Sequence, residues 1–358
     1  MFRPCLKLIV VLVVIGGTVS SLYGQVPPPA MEVGTVANVD QNFQSVQFQS
    51  QYTVAPMVFT LLPNDNGPPS LLRIRDVTTS GFSIAQLEAD NTAQGGAAAD
   101  GVATPSTVTY FAVEPGSGTI GGLQYEAGSI STTAQQHGAG AGFSGPESYD
   151  TVTFGSAFGS APAVLTFVQT MMNSSIETVT TAMPSSDPTA VDFDTALQLA
   201  EVDSAGSPTQ AETIGYFAIE QGVGTFTTPD GTVVTLESID TAQNIQALSQ
   251  EGGTGQQESF SAGFTSTPFA VASGTSLAGA DGYWIRQAAL TATDIFLFSQ
   301  EDQHNDTELG HAAEAASIVA FSSTFNTAAV PEPASIAIWS IIGLGMFGFG
   351  YRKLRRKK

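Results

Sequence analysis

Three related stretches decide the fold: FQSQYTVAPMVF at residues 48–59, FGSAFGSAPAVL at 154–165 and FSAGFTSTPFAV at 260–271. In each stretch a first aromatic residue is followed four positions later by a second and four positions after that by a proline. Successive copies are 106 residues apart. Repetition at a fixed spacing is typical of a chain that repeats one structural unit. The sequence therefore predicts three tandem units.

Two further landmarks repeat in the same order. VTYFAVEPGSGTI at 108–120 matches IGYFAIEQGVGTF at 214–226, and a shorter third copy reads IVAFSSTF at 318–325. Between the landmarks, an apolar segment runs into acidic residues at 82–90, 193–203 and 295–302. We assign the first unit to residues 25–121, the second to 122–231 and the third to 232–327.

The composition of the units predicts β-structure. Their apolar segments are short, rich in β-branched and aromatic residues, and separated by turn clusters such as Pro63–Pro69 and Pro229–Gly231. Both faces of the segment Val108–Val113 are largely apolar, as in a strand of a two-sheet sandwich. The predicted fold is all-β, with three tandem antiparallel β-sandwich repeats.

The first unit resembles the H-type lectin family. The resemblance rests on the aromatic motif, the segment IRDVTTSGF at 74–82 and Tyr-Phe-Ala-Val-Glu at 110–114. It implies a six-stranded β-sandwich that associates in threes and binds N-acetylgalactosamine-type sugars. The Trp-His pair that contacts sugar in the family has no clear counterpart, because this strand reads Tyr110-Phe111 and, in the second unit, Tyr216-Phe217.

Charge excludes one class of partner. Between Gln25 and Ala329 the chain has three arginines, no lysine and 31 acidic residues, a net charge of −28. Nucleic-acid binding depends on neutralising phosphates with basic side chains. The sequence therefore excludes nucleic acid as a partner.

The N-terminus predicts export. Residues 1–24 have a basic start at Arg3 and Lys7, an apolar stretch from Leu8 to Ile15 and small residues before Gln25, the pattern of a cleaved signal peptide read by the secretion machinery. A short uncleaved anchor is the alternative. The only cysteine, Cys5, lies in this segment, so disulfides are excluded from the mature protein after cleavage.

The C-terminus, residues 328–358, resembles the PEP-CTERM sorting signal of Gram-negative bacteria. It combines Val330-Pro331-Glu332-Pro333, an apolar run at 336–351, and a basic end formed by Arg352, Lys353, Arg355, Arg356, Lys357 and Lys358. As a transmembrane helix the run would span about 24 Å at ~1.5 Å per residue, a thin anchor with its basic end cytoplasmic. The resemblance implies transient anchoring in the inner membrane, removal of the tail by an exosortase, and delivery to the cell surface or the extracellular polysaccharide matrix. A plain single-pass anchor is the alternative.

Acidic residues at the strand ends suggest a calcium site. Carboxylates on loops are preferred calcium ligands, and the alternative is that they are solvated charges. The candidate ligands are Glu88, Asp90, Glu201, Asp203, Glu301, Asp302, Asp306 and Glu308.

Trp284 and Arg286 are the candidate sugar-binding residues, with burial in the core as the alternative for Trp284. His304 and His311 lie in a polar segment and are expected at the surface. No catalytic motif is found, so we expect no enzyme. The expected function is that of a structural component of the extracellular, biofilm-type matrix; the alternative is a lectin-like carbohydrate-binding protein.

Overall fold

The computed structural model describes residues 30–64, 69–88, 104–137, 148–173, 179–199, 209–279, 282–301 and 310–327. The predicted signal peptide and the predicted transmembrane helix lie outside the described residues. Within these ranges the chain forms 22 β-strands and no helix. The prediction of an all-β fold is therefore confirmed. The residues that the structure describes also include no helical segment with the length and apolarity needed to span a bilayer.

The first part of the chain contributes to two sheets. A four-stranded antiparallel sheet has the order β22-β1-β6-β3 and a three-stranded sheet the order β2-β5-β4. The strands are β1 (Met31–Val39), β2 (Gln44–Gln47), β3 (Met57–Leu61), β4 (Ser70–Arg75), β5 (Gly81–Glu88), β6 (Ser106–Val113) and, from the far end of the chain, β22 (Phe325–Asn326).

The second part forms a four-stranded sheet with the order β11-β14-β8-β7 and a second four-stranded sheet with the order β10-β13-β12, in which β9 also pairs with β13. The strands are β7 (Gly116–Ile120), β8 (Leu123–Thr132), β9 (Gln135–His137), β10 (Asp150–Thr153), β11 (Ala163–Val168), β12 (Val179–Ala182), β13 (Asp192–Leu199) and β14 (Glu212–Ile219). The short strand β9 runs parallel to β13, whereas the other strand pairs of these two sheets are antiparallel.

The third part follows the same pattern, with a four-stranded sheet in the order β15-β16-β21-β18 and a three-stranded sheet in the order β17-β20-β19. The strands are β15 (Gly222–Thr227), β16 (Val233–Asp240), β17 (Gln256–Ser259), β18 (Phe269–Gly274), β19 (Trp284–Leu290), β20 (Asp294–Gln300) and β21 (Ala316–Phe321).

Each pair of sheets encloses a local core that contains the aromatic motif. Phe48 and Tyr52 pack edge to face at 4.9 Å between ring centroids, as do Phe154 and Phe158. Phe260 makes the equivalent contact with Phe264 at 5.2 Å. The motif recurs because it fills the space between two sheets, where edge-to-face aromatic pairs pack well.

A central core joins three of the four-stranded sheets, those that contain β6, β14 and β21. In β6, Val108, Tyr110 and Ala112 face the local core, whereas Phe111 and Val113 face the central core. The Phe111 ring lies 4.9 Å from that of Phe217 in the second part and 5.1 Å from that of Phe321 in the third. The strand is apolar on both faces because each face packs against a different core.

The two ends of the described chain meet. β7, which follows β6 in the chain, pairs with β8 in the second four-stranded sheet of the central core, and β15, which follows β14, pairs with β16 in the third. β22 pairs in the same way with β1, Phe325 opposite Val33. Beside this pair, the Thr327 amide donates to the Met31 carbonyl at 2.8 Å, and the Met31 amide donates to Thr327 Oγ1 at 2.8 Å. The last described strand therefore closes the arrangement onto the first.

Candidate functional site

The predicted sugar-binding residues lie inside the protein. Trp284 is 7% exposed and Arg286 is fully buried. Arg286 donates hydrogen bonds to Gln300 Oε1 at 2.8 Å and, in the first part of the chain, to the carbonyl of Pro63 at 2.7 Å. The Trp284 indole also donates to Gln300 Oε1, at 3.2 Å. These side chains bind other parts of the same protein rather than facing solvent.

A second buried arginine makes an equivalent contact. Arg73 is 1% exposed and donates to the carbonyl of Thr170 in the second part, at 2.9 Å. It occupies the same place in its sheet as Arg286, on the strand preceding the buried central strand. The remaining arginine of the acidic region, Arg75, is exposed, with its guanidinium 3.3 Å from Asp76 and over the Phe43 ring. Two of the three arginines therefore connect neighbouring parts of the fold.

The proposed calcium ligands fall mainly outside the described residues, and only Glu88 and Glu301 can be placed. Glu88 ends β5 and is 8% exposed, and Glu301 is 2% exposed. Within the described ranges, no group of three or more histidine, cysteine or acidic residues is arranged to hold a metal ion. The other six proposed ligands, from Asp90 to Glu308, lie in undescribed segments, so calcium binding there stays a prediction.

His311, expected at the surface, is instead buried between two glutamates. It is 3% exposed, its Nδ1 contacts Glu301 Oε1, and its Nε2 lies 3.0 Å from Glu314 Oε1. The Tyr283 ring packs against the imidazole at 4.7 Å. Sequence reasoning missed this site because only folding brings Glu301 and the β18–β19 segment to His311 and Glu314.

The charges in this cluster stabilise each other. Burial lowers the pKa of His311, but the hydrogen bonds with Glu301 and Glu314 outweigh it and raise that pKa from 6.5 to about 9. Burial likewise raises the pKa of Glu314, but hydrogen bonds from His311, Ser276 and two backbone amides dominate and lower it. At neutral pH His311 is therefore an imidazolium, held between Glu301 and Glu314. The three residues of the cluster are each no more than 3% exposed, so the ion pairs can strengthen the fold.

A second set of glutamates was also missed. Glu32 on β1, Glu126 on β8 and Glu237 on β16 lie opposite alanines at matching positions of the neighbouring strand. Each carboxylate accepts a backbone hydrogen bond from the loop that carries the aromatic motif. The donors are Ser50 at 2.9 Å, Gly155 at 2.8 Å and Ser261 at 2.9 Å. Through these hydrogen bonds, each glutamate holds the loop that carries the aromatic motif against the four-stranded sheet to which the glutamate belongs.

Tyrosines complete two of the three glutamate sites. Tyr110 donates to Glu32 at 2.6 Å and Tyr216 donates to Glu126 at 2.9 Å. Burial and these hydrogen bonds raise the pKa of both phenols well above the usual range, so both stay neutral donors. At Glu237 the hydroxyl of Ser261 donates instead, at 2.7 Å. The glutamates are 94 and 111 residues apart, so a comparison at a fixed spacing of 106 misses them.

The buried arginines, His311 and the three glutamates thus all hold parts of the fold together. A family model described as the PEP-CTERM protein-sorting motif matches residues 329–357. A search of curated proteins found no match, and neither did a search of solved structures. The match covers Pro331-Glu332-Pro333 and most of the basic end. The chain is an exported protein processed by an exosortase and destined for the cell surface or the exterior.

Proposed function

We propose that the folded region is a non-catalytic structural component of the extracellular polysaccharide matrix, built from three tandem β-sandwich repeats. The observation that carries the proposal is the burial of Arg73, Trp284 and Arg286. Residues that could have recognised sugar or uronate instead hold one part of the chain against another. Such internal use of arginine favours a rigid module over a binding site.

Several observations support the interpretation of the fold as three repeats. The four-stranded sheets of the central core share one strand order when each is read from its hairpin strand, as in β7-β8-β14-β11. Each has a glutamate at the same register, and each is accompanied by the aromatic pair. The last strand of the first repeat, β7, pairs with the second repeat, and the last strand of the second repeat, β15, pairs with the third. The last strand of the third repeat, β22, pairs with β1 of the first repeat. The repeats therefore lock into a closed ring rather than a string of separate domains.

The charge of the region suits a matrix component. Its net charge of −28 leaves an acidic surface, because two of its three arginines are buried. Such a surface repels other anions at low ionic strength, and divalent cations could bridge it to acidic polysaccharide. Before processing, the apolar run at 336–351 would hold the ring at the outer face of the inner membrane as a transient anchor.

A lectin-like role is the second candidate. Three of the four-stranded sheets share one central core, and an internal association in threes matches the H-type lectin family that the first unit resembles. In this reading sugar would bind at loops rather than at Trp284 or Arg286.

The test is a binding screen with the purified exported protein against a glycan array and the producing organism's exopolysaccharide, with calcium and again with chelator. The structural role predicts no saturable binding to individual sugars. It also predicts a softer matrix, measured by rheometry, when the gene is deleted. Saturable binding to a defined sugar would replace the structural role with the lectin. An unchanged matrix would refute the structural role, and release of reducing sugar would contradict the absence of catalysis.

Calcium is tested in the same experiment. Self-association that appears with calcium and disappears with chelator would support bridging through acidic loops. For a matched control, the solvent-exposed Arg75 can be changed to Met, which alters surface charge without touching the buried arginines. Calcium-dependent association should persist in this variant.

A further inference from the structure

The outer face of the sheet β2-β5-β4 carries the exposed arginine of the acidic region. Arg75, at the end of β4, lies opposite Ser83 of β5, and Ser83 lies opposite Ser45 of β2. Opposed residues of antiparallel strands share a face, and the core face of this sheet belongs to residues such as Ile74 and Ile84. The guanidinium and the two serines therefore form one row on the outer face, about 10 Å long because neighbouring strands are ~4.8 Å apart.

The Arg75 guanidinium is held in place without being enclosed. Its central carbon lies 3.9 Å from the centre of the Phe43 ring, and its Nε lies 3.3 Å from a carboxylate oxygen of Asp76. The side chain is still 45% exposed, and among the described residues its two terminal nitrogens have no hydrogen-bond partner. Such nitrogens can bind a carboxylate in bidentate geometry. Because the planar group is already stacked on Phe43, little further ordering is needed for it to bind one.

The corresponding sheets of the other two parts carry acids instead. Strands β10, β13, β17 and β20 contain five partly buried acidic residues, which are Asp150, Asp192, Asp194, Glu258 and Asp294. In β2, β4 and β5 the acid is Glu88, which is 8% exposed. Apart from Asp76, which directly follows β4, an anion that approaches this sheet therefore meets a cation and no exposed carboxylate of its strands.

We propose that this outer face binds the carboxylates of a uronate-bearing polysaccharide, which pair with Arg75 while Ser45 and Ser83 bond to sugar hydroxyls. A polysaccharide suits the face better than a second copy of the chain, because two copies would bring together two regions of net charge −28. Exposed ion pairs are individually weak, so single sugars do not saturate the contact and it acts where a polymer presents many carboxylates. The inference rests on the proposed matrix role and adds a contact with polysaccharide that needs no calcium.

The test is affinity electrophoresis of the purified exported protein in native gels that contain polygalacturonate or, as the uncharged match, galactan. Chelator prevents bridging by calcium, and an ionic strength of about 0.15 M screens charges that are more than ~8 Å apart while leaving a contact ion pair. We expect polygalacturonate to slow the protein and galactan to have no effect. Arg75→Met should weaken the apparent affinity for polygalacturonate by at least about threefold, because the cation of the contact is lost.

Two further variants separate a local contact from net charge. Val233→Glu, at a position 62% exposed in the third part, lowers the net charge by one as Arg75→Met does, and should leave the apparent affinity unchanged. Asp76→Asn removes the competing carboxylate and should strengthen binding about twofold. The proposal is overturned if the unmodified protein is not slowed, if Arg75→Met is slowed as much, or if Val233→Glu loses as much affinity as Arg75→Met. The matrix role is judged separately, by rheometry of the deletion strain.

Discussion

Replacing Phe325 with Ala should weaken the closure between the two ends of the fold. Phe325 is 7% exposed, and its ring lies 5.1 Å from Phe226 and 5.3 Å from Phe321. It is also paired in register with Val33 of β1. The residue thus contacts both the third part of the chain and the strand that begins the first.

The expected cost follows from this burial. Phe→Ala substitutions in a core destabilise by about 3–5 kcal/mol. We expect about 3 kcal/mol, the lower end, because Phe325 belongs to a two-residue strand whose surroundings can partly relax. Urea unfolding of the purified exported protein, followed by tryptophan fluorescence, measures the change. Val233→Ala, at a position 62% exposed, is the control and should cost less than about 0.5 kcal/mol.

A double-mutant cycle isolates the contact itself. Phe226→Ala and Phe325→Ala together should show a coupling of about 0.5–1.5 kcal/mol, the usual contribution of an aromatic pair beyond its buried area. A cost of less than about 1 kcal/mol for Phe325→Ala, combined with strict additivity in the cycle, would refute the conclusion that β22 closes the ring.

Three further predictions concern buried polar groups. Arg286→Met should lower the free energy of unfolding by about 1–3 kcal/mol because it leaves the carbonyl of Pro63 without its donor. Arg75→Met, at the surface, is the control and should cost less than about 0.5 kcal/mol. Equal costs for the two variants in urea unfolding would contradict this prediction. The pKa of His311 is raised from 6.5 to about 9, so its contribution to stability is complete below pH 6.5 and is lost as the pH rises through about 9. His311→Gln should flatten the urea midpoint over that interval, and an unchanged slope would argue against the ion pair. Burial raises the pKa of Asp240 from 3.8 to about 6, so its protonated form contributes fully to stability below pH 3.8, and this contribution is lost as the pH rises through about 6. Asp240→Asn should remove this loss of stability. A urea midpoint of the variant that still falls between pH 3.8 and about 6 would contradict the role of Asp240.

The class of fold could be predicted because its signals are local. Aromatic residues such as Phe48 and Phe154 recur at a fixed spacing, and apolar segments bounded by turn residues indicate strands whatever their partners. The segment Val108–Val113 was expected to be apolar on both faces, but its second face packs on a core shared by three sheets rather than within its own sandwich. Periodicity shows that a face is buried and does not show what covers it.

The roles of charged residues could not be predicted for the same reason. Arg286 is of a type usually found at the surface and His311 of a type intermediate in burial, and their partners Pro63 and Glu301 are brought to them only by the fold. The pairing of Phe325 with Val33 joins residues at opposite ends of the described chain. A two-residue strand is too short to have a sequence pattern from which this contact could be predicted.

The pairing of β22 with β1 also explains how the sorting signal can be removed without disturbing the folded region. Thr327, the last residue that the structure describes, hydrogen-bonds to Met31, and the match to the sorting motif begins at residue 329. Removal of the tail beyond this point would therefore take away none of the described strands. The same contact keeps both ends of the described chain together. A fold whose last described strand pairs with its first, before the match to the sorting motif begins, can lose the tail and keep its six described sheets and central core.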